Sequence, residues 1–187
     1  MKKLIALSLI PVLSGCLSAS SPRVTQWLLE YKGPVRATRL TKYEVGRVSQ
    51  VTVRSPFNEV GIAVLRADGS MAFDPYNEYA ANPTTMLKGF VFDAMDASGL
   101  FGTVVNSSSS VKSQAMTEVM VTRLALDCRK EGERKAVAAV RVRLISDDGR
   151  ALYAQGEGAA DAKDGNYGAA LSDSLSTALN TALGQFR

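Results

Sequence analysis

Apolar and polar positions alternate most regularly between residues 117 and 160. Met120, Leu124, Leu126 and Cys128, with Thr122 among them, fall on one face of an extended segment, and Arg123, Asp127 and Arg129 on the other. The charged run Lys130-Glu131-Gly132-Glu133-Arg134 then reads as a hairpin loop. The next segment places Ala136, Ala138, Val140, Val142 and Leu144 inward and Lys135, Arg141 and Arg143 outward. Asp148-Gly149 marks a tight turn, and residues 151–159 close the sheet. After a polar loop at Asp161 to Gly165 the period changes. Leu171, Leu175, Leu179 and Leu183, with Ala178, Ala182 and Phe186, form the single apolar stripe of a helix that packs on a sheet.

The first half of the chain carries the same kinds of signal. Residues 25–31 are strand-like and aromatic and end at Lys32-Gly33-Pro34. Residues 48–54 alternate through Val51 and Val53, and Ala67-Asp68-Gly69 joins residues 61–66 to 70–74 as a hairpin. Asn82 caps a helix with Pro83 at its first position. Met86, Leu87, Phe90, Val91, Ala94 and Met95 give its apolar face, and Ser98-Gly99 stops it. Leu100 to Val105 returns as a short strand, and Asn106 to Ser110 is a polar loop. These elements predict an α+β domain: a mostly antiparallel sheet with two helices packed on one face.

The amino terminus follows different rules. Lys2 and Lys3 precede an apolar run from Leu4 to Leu13, too short to span a bilayer but right for a secretory signal. It ends in Leu13-Ser14-Gly15-Cys16, which resembles the lipobox of bacterial lipoproteins. That resemblance implies a lipoprotein signal peptide over 1–15, acyl chains (palmitate among them) on Cys16, and a lipidated tether over 16–24. The folded domain then covers 25–187. Leu17 follows the cysteine where an aspartate resembles an inner-membrane retention signal, so the expected location is the periplasmic face of the outer membrane.

Composition limits the chemistry. The 187 residues include no histidine and only two cysteines, which excludes a Ser-His-Asp or Cys-His hydrolase, a His-ligated zinc site and a four-cysteine cluster. No Gly-x-Ser-x-Gly elbow or phosphate-binding glycine loop is present. Asp147-Asp148, Asp161 and Asp164 sit in turns without the spacing of a calcium loop. No catalytic residue, metal site or cofactor is therefore expected, although a hydrolase built on an unrecognised site remains a rival reading. With Cys16 acylated, Cys128 is the one remaining thiol, and its place in an apolar row predicts a buried, inert side chain.

The formal net charge is +4 from 22 bases and 18 acids, and loss of residues 1–15 removes only Lys2 and Lys3, leaving +2. The six bases of residues 16–47 (Arg23, Lys32, Arg36, Arg39, Lys42 and Arg47) face only Glu30 and Glu44. Such a stretch beside a lipid anchor suits anionic headgroups as well as it suits a plain solvated surface. No basic run interleaved with aromatics points to nucleic acid. The segment from Phe73 to Pro83 is unusual in placing Tyr76 and Tyr79 on a proline-punctuated connection. They either offer contact area to a partner or fold under the connection and staple it to the sheet.

Several of these segments together resemble the ABC-type transport auxiliary lipoproteins. They are Arg54-Ser55-Pro56-Phe57, Gly61-Ile62-Ala63-Val64-Leu65-Arg66, Asp74-Pro75-Tyr76-Asn77-Glu78-Tyr79-Ala80-Ala81-Asn82-Pro83 and Ser98-Gly99-Leu100-Phe101 with Val104-Val105. The late Val140-Arg141-Val142-Arg143-Leu144 strand, its Asp148-Gly149 turn and the last helix complete the pattern. Trp27-Leu28-Leu29 stands where the family tends to open Tyr-x-Leu-x-Pro, and Tyr79 where a tryptophan is common. The resemblance implies a non-enzymatic accessory lipoprotein of an MCE-type ABC system moving phospholipid or other apolar solutes across the envelope. Its partners would be an MCE-type periplasmic protein with its permease and ATPase, and the membrane through the anchor, with homo-oligomerisation left open. The alternative is a lipid-anchored adaptor or activator of a peptidoglycan or surface-polymer machine.

Overall fold

The computed structural model describes residues 23–33 and 41–186. The signal peptide, Cys16, nearly all of the tether, Arg36 and Arg39 lie outside the described residues. The elements, in chain order, are β1 (Thr25–Trp27), β2 (Tyr43–Val53), β3 (Gly61–Arg66), β4 (Met71–Tyr79), α1 (Pro83–Ser98), β5 (Phe101–Val105), β6 (Ala115–Cys128), β7 (Lys135–Ser146), β8 (Ala151–Asp161) and α2 (Tyr167–Gly184), with a single 3-10 turn at Lys163–Gly165 before α2. Among the described residues the fold is α+β, with one eight-stranded sheet and two helices.

The two longest ladders, β6–β7 and β7–β8, are antiparallel. On its other edge β6 is shared. Residues 115–121 pair with β2 and residues 126–128 with β3, both parallel to it. From there the sheet runs out in two arms, β2 to β5 on one side and β3 to β4 to β1 on the other. A single long strand thus ties the halves of the sheet together.

Local chemistry sets the helix limits as the sequence predicts. The Asn82 side chain accepts from Thr84 N at 3.0 Å, Pro83 opens α1, and Gly99 ends it with φ 70° in the left-handed region. The buried faces of α1 (Leu87, Phe90, Val91, Ala94, Met95) and α2 (Leu171, Leu175, Leu179, Leu183) join one core. Both helices therefore cover the same face of the sheet. Each fully buried leucine of that stripe contributes about 1.5–3 kcal/mol.

α2 lies very close to β8. A Cβ on Gly156 would stand 2.0 Å from the Ala178 carbonyl oxygen, and one on Gly158 1.9 Å from that of Ser174. Only glycine lets the helix backbone settle there.

Several expectations change. The strand expected over 25–31 is paired only at Thr25–Trp27, and β2 begins upstream of residue 48, at Tyr43. Residues 71–79 form a strand throughout, so Tyr76 and Tyr79 belong to β4 and not to a connection. The alternation of β6 is also broken. Ala115, Thr117, Val119 and Val121 face the core, the β7 register slips between Val121 and Arg123, and Leu124 and Leu126 face the core thereafter. Thr122 is the extra residue of this bulge, and its hydroxyl donates to Ala139 O at 3.2 Å. Met120 consequently lies on the opposite face from Leu124, 43% exposed, because one unpaired residue reverses every later side chain.

Cys128 is half-buried at the end of β6, packed against the edge of the core. Full burial of the thiol does not hold, because the row of buried side chains stops at Leu126 where the hairpin loop opens.

Candidate functional site

Two surfaces are candidates: the β1–β4 corner and the sheet face that carries no helix. At the corner, β4 bulges away from β3, since Phe73 pairs with Ala63 but Glu78 with Gly61. The extra residues close on themselves. Asp74 Oδ1 accepts from Tyr76 N at 2.9 Å and from Asn77 Nδ2 at 3.0 Å, as an aspartate before a proline turn is suited to do. β1 holds the far side through Trp27 Nε1 to Asn77 Oδ1 at 2.9 Å and Gln26 Nε2 to Glu78 Oε1 at 2.8 Å.

The two tyrosines part company here. Tyr76 is 55% exposed, in a corner where Phe73 and Leu28 are exposed as well. Tyr79 is 1% exposed, its hydroxyl has no hydrogen-bond partner, and burial pushes its phenol well above the ordinary 10.0. A docking role for Tyr79 is therefore corrected: it is the staple, and its ring is not available to a partner. Tyr76 keeps the exposure that a contact residue needs.

The helix-free face has a different character. Register places Met120 beside Arg141, Glu118 beside Arg143 and Arg143 beside Tyr153. Arg143 Nη1 reaches Glu118 Oε2 at 3.3 Å and its guanidinium lies 5.7 Å from the Tyr153 ring centre. Half-exposed ion pairs of this kind contribute about 0–1 kcal/mol, so the pair orders the surface more than it stabilises it. A groove of about 610 Å³ runs over these residues, bordered by Gln50 and Thr52 of β2. It meets a second groove of about 440 Å³ at Arg141 and Gln155, lined by Arg54, Arg123 and Glu157.

Several charges elsewhere hold loops and turns. The Arg47 guanidinium donates to the carbonyls of Asn106, Ser109 and Val111 and holds the serine-rich loop after β5. Asp127 and Asp148 sit below the usual carboxylate range because Arg129 and Arg150 hydrogen-bond to them. Arg134 donates to the Tyr167 hydroxyl and lies 5.3 Å from its ring centre, which closes the β6–β7 loop over the start of α2. Among the described residues no group of three His, Cys, Asp or Glu is placed to hold a metal ion, and no helix is long and apolar enough to cross a membrane.

Sequence reasoning pointed to Tyr76 through its proline-rich setting but missed the helix-free face. The available signal was the Arg141-Val142-Arg143 alternation; without the β6 bulge, Met120 could not be placed beside it.

Neither a family model nor a curated protein matches this sequence. Its architecture does match solved structures. Protein XCC0632 from Xanthomonas campestris, of family DUF330, superposes with a TM-score of 0.64 at 17% identity, over 87% of this chain and 90% of that one. A crystal structure of an uncharacterized protein gives 0.57 at 16% identity, over 85% and 94%. This chain has their fold. PelC from Paraburkholderia phytofirmans, crystallised as a dodecamer, gives 0.43 at 12% identity, over 81% and 94%, too slight a likeness to argue from.

Proposed function

We propose that this chain is a non-enzymatic accessory lipoprotein of an MCE-type ABC system that moves phospholipid or other apolar solutes across the envelope. In this reading Cys16 is acylated and holds the domain at the periplasmic face of the outer membrane. The observation that carries it is the fit between the family-like segments and the fold. Asn82-Pro83 and Ser98-Gly99 are the two ends of α1, Asp148-Gly149 turns β7 into β8, and Asp74 to Tyr79 contains the β4 bulge. The resemblance thus follows the joints of the structure, not scattered residues. Leu13-Ser14-Gly15-Cys16 adds the anchor, and several acyl chains on one cysteine hold stably at about 0.8 kcal/mol per buried CH2.

The β1–β4 corner is the docking surface in this proposal, with Tyr76 as its central contact. Affinity capture from solubilised envelopes tests it. The expected result is recovery of an MCE-type protein with its permease and ATPase, reduced about tenfold or more by Tyr76→Ala, since truncated interface aromatics cost about 2 kcal/mol. Capture of peptidoglycan or polymer-export components in their place would overturn the reading. The anchor has its own test: intact mass of the membrane-extracted protein should show a chain beginning at Cys16 with added acyl mass, and Cys16→Ala should abolish both. A mature chain without acyl mass would remove the anchor.

A further inference from the structure

We infer that the helix-free face of the sheet binds an anionic single-chain amphiphile, with its head on Arg54, Arg123 and Arg141 and its chain along Met120 and Tyr153. The two grooves on this face differ in chemistry and share a boundary at Arg141 and Gln155. In the polar groove three guanidiniums face one carboxylate, Glu157. None of the three has an ion-pair partner among the described residues. Asp127, whose charge acts on Arg123, is already engaged by two nitrogens of Arg129. A carboxylate or phosphate head would complete this charge arrangement, because guanidinium forks match such groups well.

The adjoining groove offers what a tail requires. Met120 is 43% and Tyr153 72% exposed, an apolar cost in water that an aliphatic chain would relieve. An acidic peptide suits the position less well. It would need hydrogen-bond partners for its backbone, and at the neighbouring free edge of β8 the Gln155 carbonyl already accepts from Gln185 Nε2 at 2.7 Å. An acyl chain has no such requirement. The inference stands on the groove alone, independent of any transporter.

The test uses the full chain mixed with phosphatidylcholine vesicles carrying a trace of a diazirine-bearing fatty acid, with the matching fatty alcohol as neutral control. After illumination, labelled peptides are mapped by mass spectrometry. The fatty acid should label the Met120 and Tyr153 peptides, with the alcohol about tenfold weaker. Labelling should fall by about tenfold in the Arg123→Gln, Arg141→Gln double variant, the loss expected for removing charge-assisted contacts. If that variant melts early, Met120→Glu serves instead and should abolish labelling of the groove. Equal labelling by acid and alcohol, unchanged in the arginine variant, would mean that the face only rests on a bilayer and would overturn the proposal. So would absent labelling, labelling spread over α1, or arginine variants that lose partner capture but keep the label. Labelling needs no partner and capture needs no probe, so failure of one leaves the other standing.

Discussion

Gly158→Ala is expected to lower stability by about 3 kcal/mol, the upper part of the usual range for forcing extra volume into a packed core. For a domain of this size that corresponds to a fall of roughly 6–12 °C in melting temperature. The reason is geometric. The added methyl would stand 1.9 Å from the Ser174 carbonyl oxygen and 2.9 Å from Ala178 N, both backbone atoms of α2. No side chain can rotate away to make room, so the helix must lift from β8, and Leu171, Leu175 and Leu179 lift with it. The control lies in α1, where a Cβ on Gly89 meets nothing within 4 Å. Gly89→Ala should raise stability by up to about 1 kcal/mol through helix propensity alone. Thermal unfolding of the two variants side by side checks the account, and equal effects would refute the close approach of α2.

Tyr79 should give opposite responses to two substitutions. Tyr79→Ala empties a fully buried ring site and should cost about 3–5 kcal/mol. Tyr79→Phe keeps the ring but removes a buried hydroxyl that has no partner, so stability should rise by about 1 kcal/mol. The pH dependence follows from the same burial. The folded state holds the phenolic proton well above the ordinary value of 10.0, whereas the unfolded chain releases it near that value. Above pH 10 the native state binds the extra proton, so stability falls as pH rises, with a limiting slope of about 1.4 kcal/mol per pH unit. Tyr79→Phe should remove that contribution and flatten the alkaline limb of the stability curve. Chemical denaturation at neutral and alkaline pH measures both effects, and a destabilised Tyr79→Phe would show that the hydroxyl has a partner after all.

Much of the chain was legible without its partners. Asn82, Pro83 and Gly99 act on backbone groups within a few residues, so the ends of α1 follow from the local sequence. The Asp68-Gly69 and Asp148-Gly149 turns are equally local, with both glycines at φ 81° where a side chain would be strained. The leucine stripe of α2 and the alternation of β7 carry their periods within themselves.

Three features were decided only by distant contacts. The parity of β6 reverses at Thr122, and nothing in Val121-Thr122-Arg123 announces it, because a bulge is a mismatch between two strands and exists only when β7 is alongside. Tyr79 looks the same in sequence whether exposed or covered; its burial comes from the core assembled by α1, α2 and the sheet. Gly156 and Gly158 carried a faint signal, two glycines on the same face of one strand, but their meaning depends on which element lies above them. Caps, turns and periodicity are energies of neighbouring residues and can be read in order. Bulges, burial and close approach are energies of segments brought together by the fold, and the face that combines Met120 with Arg141 exists only through them.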